Sequence, residues 1–241
     1  MKPEVPAGLY GIRGVMGVCH LLVDEKREAV LIDTGLVGET WLLCRLLNRL
    51  GLAPSAVRAI LLTHGHLDHA GNLARMQRLT GAPIYAHAAE QAHIHGVYPY
   101  AGTARVCGAL ERVGRAVLRY RSAQIDVPFV DQQELPFWSG LRVVHLPGHT
   151  EGHCGFYSER YQMLFSGDLF ASYFHSTHLP PAILNSCPEL FPSSLERVAE
   201  MNPAWMLPNH YDALVPALHR QRFDKLVQRL AKRGRGSLQA G

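Results

Sequence analysis

Short bursts of apolar residues, broken by turns, set the rhythm of the first third of the chain. Residues 8–14, 18–23 and 29–33 are rich in β-branched and apolar side chains, and Gly or the charged run Asp24-Glu25-Lys26-Arg27 separates them, so three strands are predicted. Residues 41–50 switch to helical spacing. Trp41, Leu42, Leu46, Leu47 and Leu50 fall on one face, and Gly51 supplies a stop. A compact apolar strand over 59–62 runs straight into Thr63-His64, a helix over 72–79 ends at Gly81, and 84–86 is a further short strand.

The region 88–122 reads least like strand. Leu110, Val113, Val117 and Leu118 suit a helix, against which Gly108 and Gly114 count. Strands resume at 127–130, 141–146, 155–157 and 163–165. Ser193-Ser194-Leu195-Glu196 has the form of a capping box opening a helix through Met201, and 204–207 is a last strand. A basic amphipathic helix spans about 216–235, with Phe223, Leu226, Val227 and Leu230 at the spacing of a stripe packed on its own domain. Strands interspersed with helices in both halves, with no repeat or linker, predict one α/β domain over residues 1–241 with two packed sheets.

Composition adds one pointer and removes another. Hydrophobic residues make up 47% of the 241 and charged residues 18%, the balance of a globular protein rather than a disordered one. Net charge is +4, but residues 220–235 alone carry +6, leaving −2 for the rest. A slightly negative body does not favour a nucleic-acid partner. The five cysteines are scattered, odd in number and without a C-x-x-C pair, which argues against a disulfide framework. No run approaches the length of a membrane span, and no leader-like segment opens the chain, so a cytoplasmic location is expected. Histidine, at 14 residues, is in excess.

Three of those histidines and one carboxylate fall within six positions, in Thr63-His64-Gly65-His66-Leu67-Asp68-His69, directly after an apolar strand. Neutral imidazole and carboxylate are ligands that zinc, iron and manganese accept. A polar solvated loop would not explain why histidine recurs there. No G-x-S-x-G elbow is present, and Cys154 beside His153 reads as a packed strand residue.

His-x-His-x-Asp-His after a strand resembles the signature of the metallo-β-lactamase superfamily, and four further segments resemble its other motifs in order. They are Asp33-Thr34-Gly35, Pro147-Gly148-His149-Thr150-Glu151-Gly152-His153, Ser166-Gly167-Asp168 and Leu207-Pro208-Asn209-His210. The resemblance implies a four-layer αββα sandwich with a two-metal site at one edge. It implies that His64, His66 and His149 hold one divalent ion, that Asp68, His69 and His210 hold the other, and that Asp168 bridges them. Zn2+ is the leading ion, with Fe or Mn as alternatives. Two such ions share a water and lower its pKa, so metal-bound hydroxide attacks the substrate. Asp68 then orients the nucleophile and takes its proton, and Asp33 orients a ligand by hydrogen bonding.

Departures from the family pattern choose a branch. Asp168 stands where the zinc β-lactamases carry cysteine, and His69 is absent from the flavodiiron pattern. The full ligand set resembles glyoxalase II, the lactonases and ribonuclease Z. The segment between the last two motifs most resembles glyoxalase II-like hydrolases, although only 31 residues follow His210, too few for a glutathione-gripping helical region. The expected function is hydrolysis of an ester, thioester or lactone in a small-molecule substrate. The alternatives are a ribonuclease Z-like phosphodiesterase and a non-catalytic small-molecule sensor that retains its metals. Tyr173 and His178, in the loop after Asp168, are the candidate substrate contacts, and Phe170, Phe174, Leu179 and Ile183 give that loop an apolar character. Homo-oligomer formation is left open by the sequence.

Overall fold

Strand alternation sorts side chains to two sides of each sheet, and three separate apolar cores result. The computed structural model describes the backbone of residues 5–238 and side-chain surroundings through residue 232. The first sheet runs in the order β1 (Leu9–Arg13), β2 (Val18–Val23), β3 (Ala29–Ile32), β4 (Val57–Leu61), β5 (Ile84–His87), β6 (Val127–Phe129). Its first two pairings are antiparallel and its last three parallel. The second sheet brings together β7 (Glu134–Leu135), β8 (Leu141–His145), β9 (Cys154–Ser158), β10 (Met163–Gly167) and β13 (Trp205–Pro208), in the order β13-β10-β9-β8-β7. A hairpin of β11 (Ala171–Tyr173) and β12 (Ser176–His178) stands apart.

Along β3, Val30 and Ile32 face the second sheet while Ala29 and Leu31 face helices. Along β10, Met163 and Phe165 face the first sheet while Leu164 turns outward. The central core therefore lies between the sheets, with Leu22, Leu61, Val143, Phe156 and Leu207 among its members. A second core packs the outer face of the first sheet against α1 (Thr40–Leu50), α3 (Leu73–Thr80) and α4 (Gln91–His95) through Leu43, Leu47, Leu73, Met76 and Ile94. The third packs the other sheet against α6 (Phe191–Met201) and α7 (Pro216–Leu238) through Phe191, Val198, Phe223 and Leu226. Helix, sheet, sheet, helix is the expected four-layer αββα sandwich. No helix among the described residues is long and apolar enough to cross a membrane.

Several expectations are corrected. On α1 the buried positions are Leu43 and Leu47, whereas Trp41 is 57% exposed, so the packed face is rotated from the predicted one. The helix α5 (Arg105–Val117) forms, but Val106, Leu110, Val113 and Val117 all point to solvent. Its glycines answer to close packing: a Cβ at Gly108 would lie 2.5 Å from the Tyr100 ring, and one at Gly114 3.0 Å from Leu67. No capping box opens α6. That helix begins two residues earlier, with Pro192 in its first turn, Ser193 donates to the Leu190 carbonyl, and buried Ser194 donates to the Pro147 carbonyl at 2.6 Å. The basic helix α7 packs by Phe223 and Leu226, with Val227 and Leu230 half-buried. Arg220 and Arg222 are paired to Asp224 and Asp212, and Arg233 and Arg235 lie beyond the described side chains.

Candidate metal centre

The strands of both sheets end at one edge, and five of those ends or the turns after them carry the polar residues singled out in the sequence. Asp33 follows β3, His64 and His66 follow β4, His149 follows β8, Asp168 follows β10 and His210 follows β13. Asp68 and His69 lie on α2 (Leu67–Ala70), a single turn that starts immediately after His66. Gly65 lies between two of these imidazoles because a Cβ there would stand 2.5 Å from the Cβ of His93.

Three overlapping groups have donor atoms within 4.8 Å of one another: His64, His66 and His149; His64, His69 and Asp168; Asp68, His69 and His210. His66 Nδ1 and His149 Nε2 face each other at 2.9 Å. Asp168 stands between the His64, His66, His149 group and the Asp68, His69, His210 group, with Oδ2 at 3.5 Å from His149 Nε2 and 3.2 Å from His210 Nε2, and Oδ1 at 3.4 Å from His69 Nε2. All seven predicted ligands are thus brought together. His87, His95 and His145 belong to none of these groups, and Cys154 is packed in the central core.

The hydrogen bonds behind the cluster decide which imidazole nitrogens are free. Thr63 donates its hydroxyl to Asp33 Oδ2 at 2.8 Å, so its oxygen accepts from His64 Nδ1 at 3.1 Å, and the lone pair of His64 is left on Nε2. His69 Nδ1 donates to Asp33 Oδ2 at 3.0 Å and His149 Nδ1 donates to Asn185 Oδ1 at 2.9 Å, leaving Nε2 lone pairs on both. His64 Nε2 is buried without a partner in the protein, and His69 Nε2 and Asp168 Oδ1, buried 3.4 Å apart, make no hydrogen bond. Buried lone pairs converging on one point are costly unless an electrophile satisfies them, and a divalent cation does so. The residues present fit such an ion.

Electrostatics reinforce this reading. Burial lowers the pKa of His64, brings His66 down to about 4 and His149 to about 3, so these imidazoles are neutral donors. On the other side, Asp168 raises His210 to about 10, and burial of His69 is outweighed by Asp168 and Asp68, which hold its pKa above the ordinary histidine value, so these two imidazoles hold a proton that a bound cation would displace from the inward-facing nitrogen. Burial of Asp68 and Asp168 is likewise outweighed by the facing His69 and His210, and both carboxyls titrate below their usual range. Two carboxylates are therefore concentrated where cations are called for.

Asp33 is fully buried and adopts a left-handed backbone, φ 61°. Its Oδ1 accepts from the Thr63 amide, and its Oδ2 accepts from the Thr63 hydroxyl, His69 and Asn209 Nδ2. It holds other residues and does not reach the open side of the cluster. Four further residues support the cluster, of which Glu90 and Asn185 lie outside every motif while Asn209 and His153 lie within motifs without a ligand role. Glu90, buried and pushed up to about 7 by that burial, accepts from the Gly65 amide, the Thr150 hydroxyl and the Gly152 amide, stitching two ligand loops together. Asn185 fixes His149, and Asn209 ties Asp33 to the Val18 carbonyl. His153 donates to the Leu146 carbonyl and accepts from the Asp168 amide at 2.9 Å, a support for the ligand turn.

Tyr173 is 37% exposed at the end of β11, and burial followed by Asp168 raises its pKa. His178 ends β12, half-buried, with its Nδ1 on the Leu179 carbonyl. Of the apolar residues in this loop, Phe170 is core, Leu179 packs beside it, and Phe174 and Ile183 are exposed.

Residues 12–210 match the sequence profile of the Metallo-beta-lactamase superfamily. The chain is 29% identical over 154 residues to the hydroxyacylglutathione hydrolase GloC of Haemophilus influenzae, covering 63% of this chain and 65% of that one. It is 23% identical over 248 residues to the probable metallo-hydrolase YflN of Bacillus subtilis, covering 95% and 93%. Among solved structures, a metallo-beta-lactamase family protein from Thermus thermophilus superposes with a TM-score of 0.73 at 24% identity over 98% of this chain and 82% of that one. TTHA1623 in a di-iron-bound form gives 0.65 at 27%, over 87% and 95%. With the fold, the ordered motifs and the profile in agreement, the chain belongs to the metallo-β-lactamase superfamily.

Proposed function

We propose that the protein is a dinuclear metal-dependent hydrolase of an ester, thioester or lactone, acting on a small molecule as a single cytoplasmic domain. The observation that carries this reading is the convergence of seven imidazole and carboxylate side chains with buried, unpartnered donor atoms. His64, His66 and His149 would hold one ion, Asp68, His69 and His210 the other, with Asp168 between them. The donor set suits zinc, and iron or manganese also accept it. Two divalent cations supply a water of lowered pKa and polarisation of the acyl carbonyl.

The chain's own residues do the rest. The Asp68 and His210 side chains are 21% and 19% exposed, against 2% for His69 and His149, so the cluster opens on their side. Asp68 is the carboxylate placed to orient an incoming water and take its proton. Asp33 keeps His69 in the tautomer whose lone pair faces inward. Tyr173 and His178 are the proposed substrate contacts. Hydrolysis of an acyl thioester is supported by the likeness to the Haemophilus hydroxyacylglutathione hydrolase.

The test is metal analysis of the purified protein together with turnover of a thioester, a lactone and a bis-aryl phosphate. Close to two metals per chain are expected, with acyl turnover that chelation abolishes and metal restores. Full turnover in metal-free protein or in His66→Ala overturns the proposal. Turnover of the phosphodiester alone assigns a ribonuclease Z-like activity instead, and tight binding with no product assigns a sensor.

A further inference from the structure

Beside His66, α4, the loop that follows it and α5 line a cavity of about 410 Å3 that the hydrolytic reading does not use, and Glu111 in its wall accepts from the amide of Leu67, next to Asp68, at 2.8 Å. That volume lies within the size range of small-molecule sites. Its inner wall is His93 and Tyr100, whose rings lie 5.5 Å and 6.4 Å from the His66 ring. Tyr98 stacks on His93 at 3.7 Å and meets Tyr100 edge-on at 5.0 Å, so the wall is aromatic and pre-formed. Gly108 permits it, since any side chain there would strike the Tyr100 ring.

The polar groups of the cavity are unevenly satisfied. Tyr100 donates to Glu111 Oε2 at 3.0 Å, so its oxygen accepts from His93 Nδ1 at 3.1 Å. His93 Nε2 is then left buried with no partner, as is Arg115 Nε. The Arg115 terminal nitrogens are committed to the Glu111 carboxylate and the Ile94, His93 and Gly65 carbonyls. Two other arginines line the same cavity. Arg105 and Arg112 stand seven residues apart, on one face of α5, and both are exposed. Neither forms an ion pair among the described residues. An arginine fork left unpaired beside a cavity is suited to a planar carboxylate, which it can bind through two parallel hydrogen bonds.

We propose that this cavity is the anion-binding end of the substrate site, where Arg105 and Arg112 take a carboxylate carried by the substrate while its scissile bond lies at the histidine and aspartate cluster. The inference rests on the hydrolase reading for its second half, and the cavity itself is testable without turnover.

The experiment is residue-resolved phenylglyoxal labelling of the metal-loaded protein, alone and with succinate, succinamide or inorganic phosphate. It is paired with kinetics on matched succinyl and propionyl thioesters of N-acetylcysteamine. Succinate is expected to slow labelling of Arg105 and Arg112 several-fold, with succinamide inert and Arg45 on α1 unaffected. In Arg105→Ala/Arg112→Ala, KM for the succinyl thioester should rise by about tenfold or more, as expected for a lost charge-assisted contact, with kcat and the propionyl reaction unchanged. The double lysine variant should recover part of the loss. Absence of protection by succinate, or equal protection by phosphate, overturns the carboxylate site. Protection without turnover of either thioester, or of the ester and lactone counterparts, leaves the site standing and overturns the hydrolase. Turnover whose succinyl preference survives the double alanine variant overturns the site and leaves the hydrolase standing.

Discussion

Asp33→Asn isolates one interaction on which the geometry of the centre depends. Asn tolerates the left-handed backbone that Asp33 adopts at φ 61°, whereas Ala there would add a conformational cost of ~1–2 kcal/mol that obscures the result. The Asp33 carboxylate accepts four hydrogen bonds, one at Oδ1 and three at Oδ2. Asparagine has a single acceptor oxygen. If its NH2 replaces Oδ1, it faces the Thr63 amide, donor against donor. If it replaces Oδ2, the Thr63 hydroxyl, His69 Nδ1 and Asn209 Nδ2 all lose their acceptor. The milder outcome already removes a buried bond to a charged group, worth about 1.5–3 kcal/mol of folding stability. The harsher one also releases His69 from its tautomer, and loss of such a support typically weakens metal binding by about 10–100-fold. Urea unfolding of metal-free wild type and variant measures the first quantity, and competition with a chromophoric chelator for zinc measures the second. A variant matching wild type within twofold in zinc affinity and within about 0.5 kcal/mol in stability would refute the assignment of Asp33 as the residue that orients His69.

Two further outcomes follow from buried polar groups away from the metal ligands. His20 is fully buried, and burial, then His219, lowers its pKa to about 3 from the ordinary 6.5, so the native state binds fewer protons than the unfolded chain between those values. Its contribution is therefore present above pH 6.5 and lost as pH falls towards 3, at about 1.4 kcal/mol per pH unit, and His20→Gln should flatten stability against pH by that slope in urea titrations at pH 7, 6 and 5. Parallel slopes would count against the buried neutral state. Ser193→Ala should shift the unfolding midpoint by no more than about 0.5 kcal/mol, because no capping box forms, whereas Ser194→Ala should cost about 1 kcal/mol through its bond to the Pro147 carbonyl. The reverse order in thermal or urea unfolding would restore the capping box.

Local pattern was enough for most strands and most helices, because burial on a sheet or helix repeats at a fixed period that neighbours in sequence display. It was enough, too, for His64, His66, Asp68 and His69, which are consecutive or nearly so, while His149, Asp168 and His210 were legible only through the resemblance of their motifs to a known superfamily. Pattern failed where the answer depended on what packs opposite. The apolar stripe of α5 has helical spacing yet faces solvent, and the short β7 and the β11–β12 hairpin are too brief to show a period. The start of α6 was misplaced because Ser194 is engaged by Pro147, 47 residues away in sequence, rather than by its own helix.

What the sequence by itself determined, then, is the order of most elements, written in short-range spacing, and, through the resemblance of its motifs to a known superfamily, the seven side chains that converge. What only the tertiary structure decided is how those side chains are held and that a cavity lies beside them. Glu90 is one carboxylate in an ordinary segment until it meets Gly152, 62 residues on, and Asn209 acquires its role from Asp33, 176 residues before it. The cavity of Arg105 and Arg112 exists only because α4 and α5 leave space between them beside His66. A hydrogen bond or a cavity is a property of two surfaces brought together, and no period along one segment records the other.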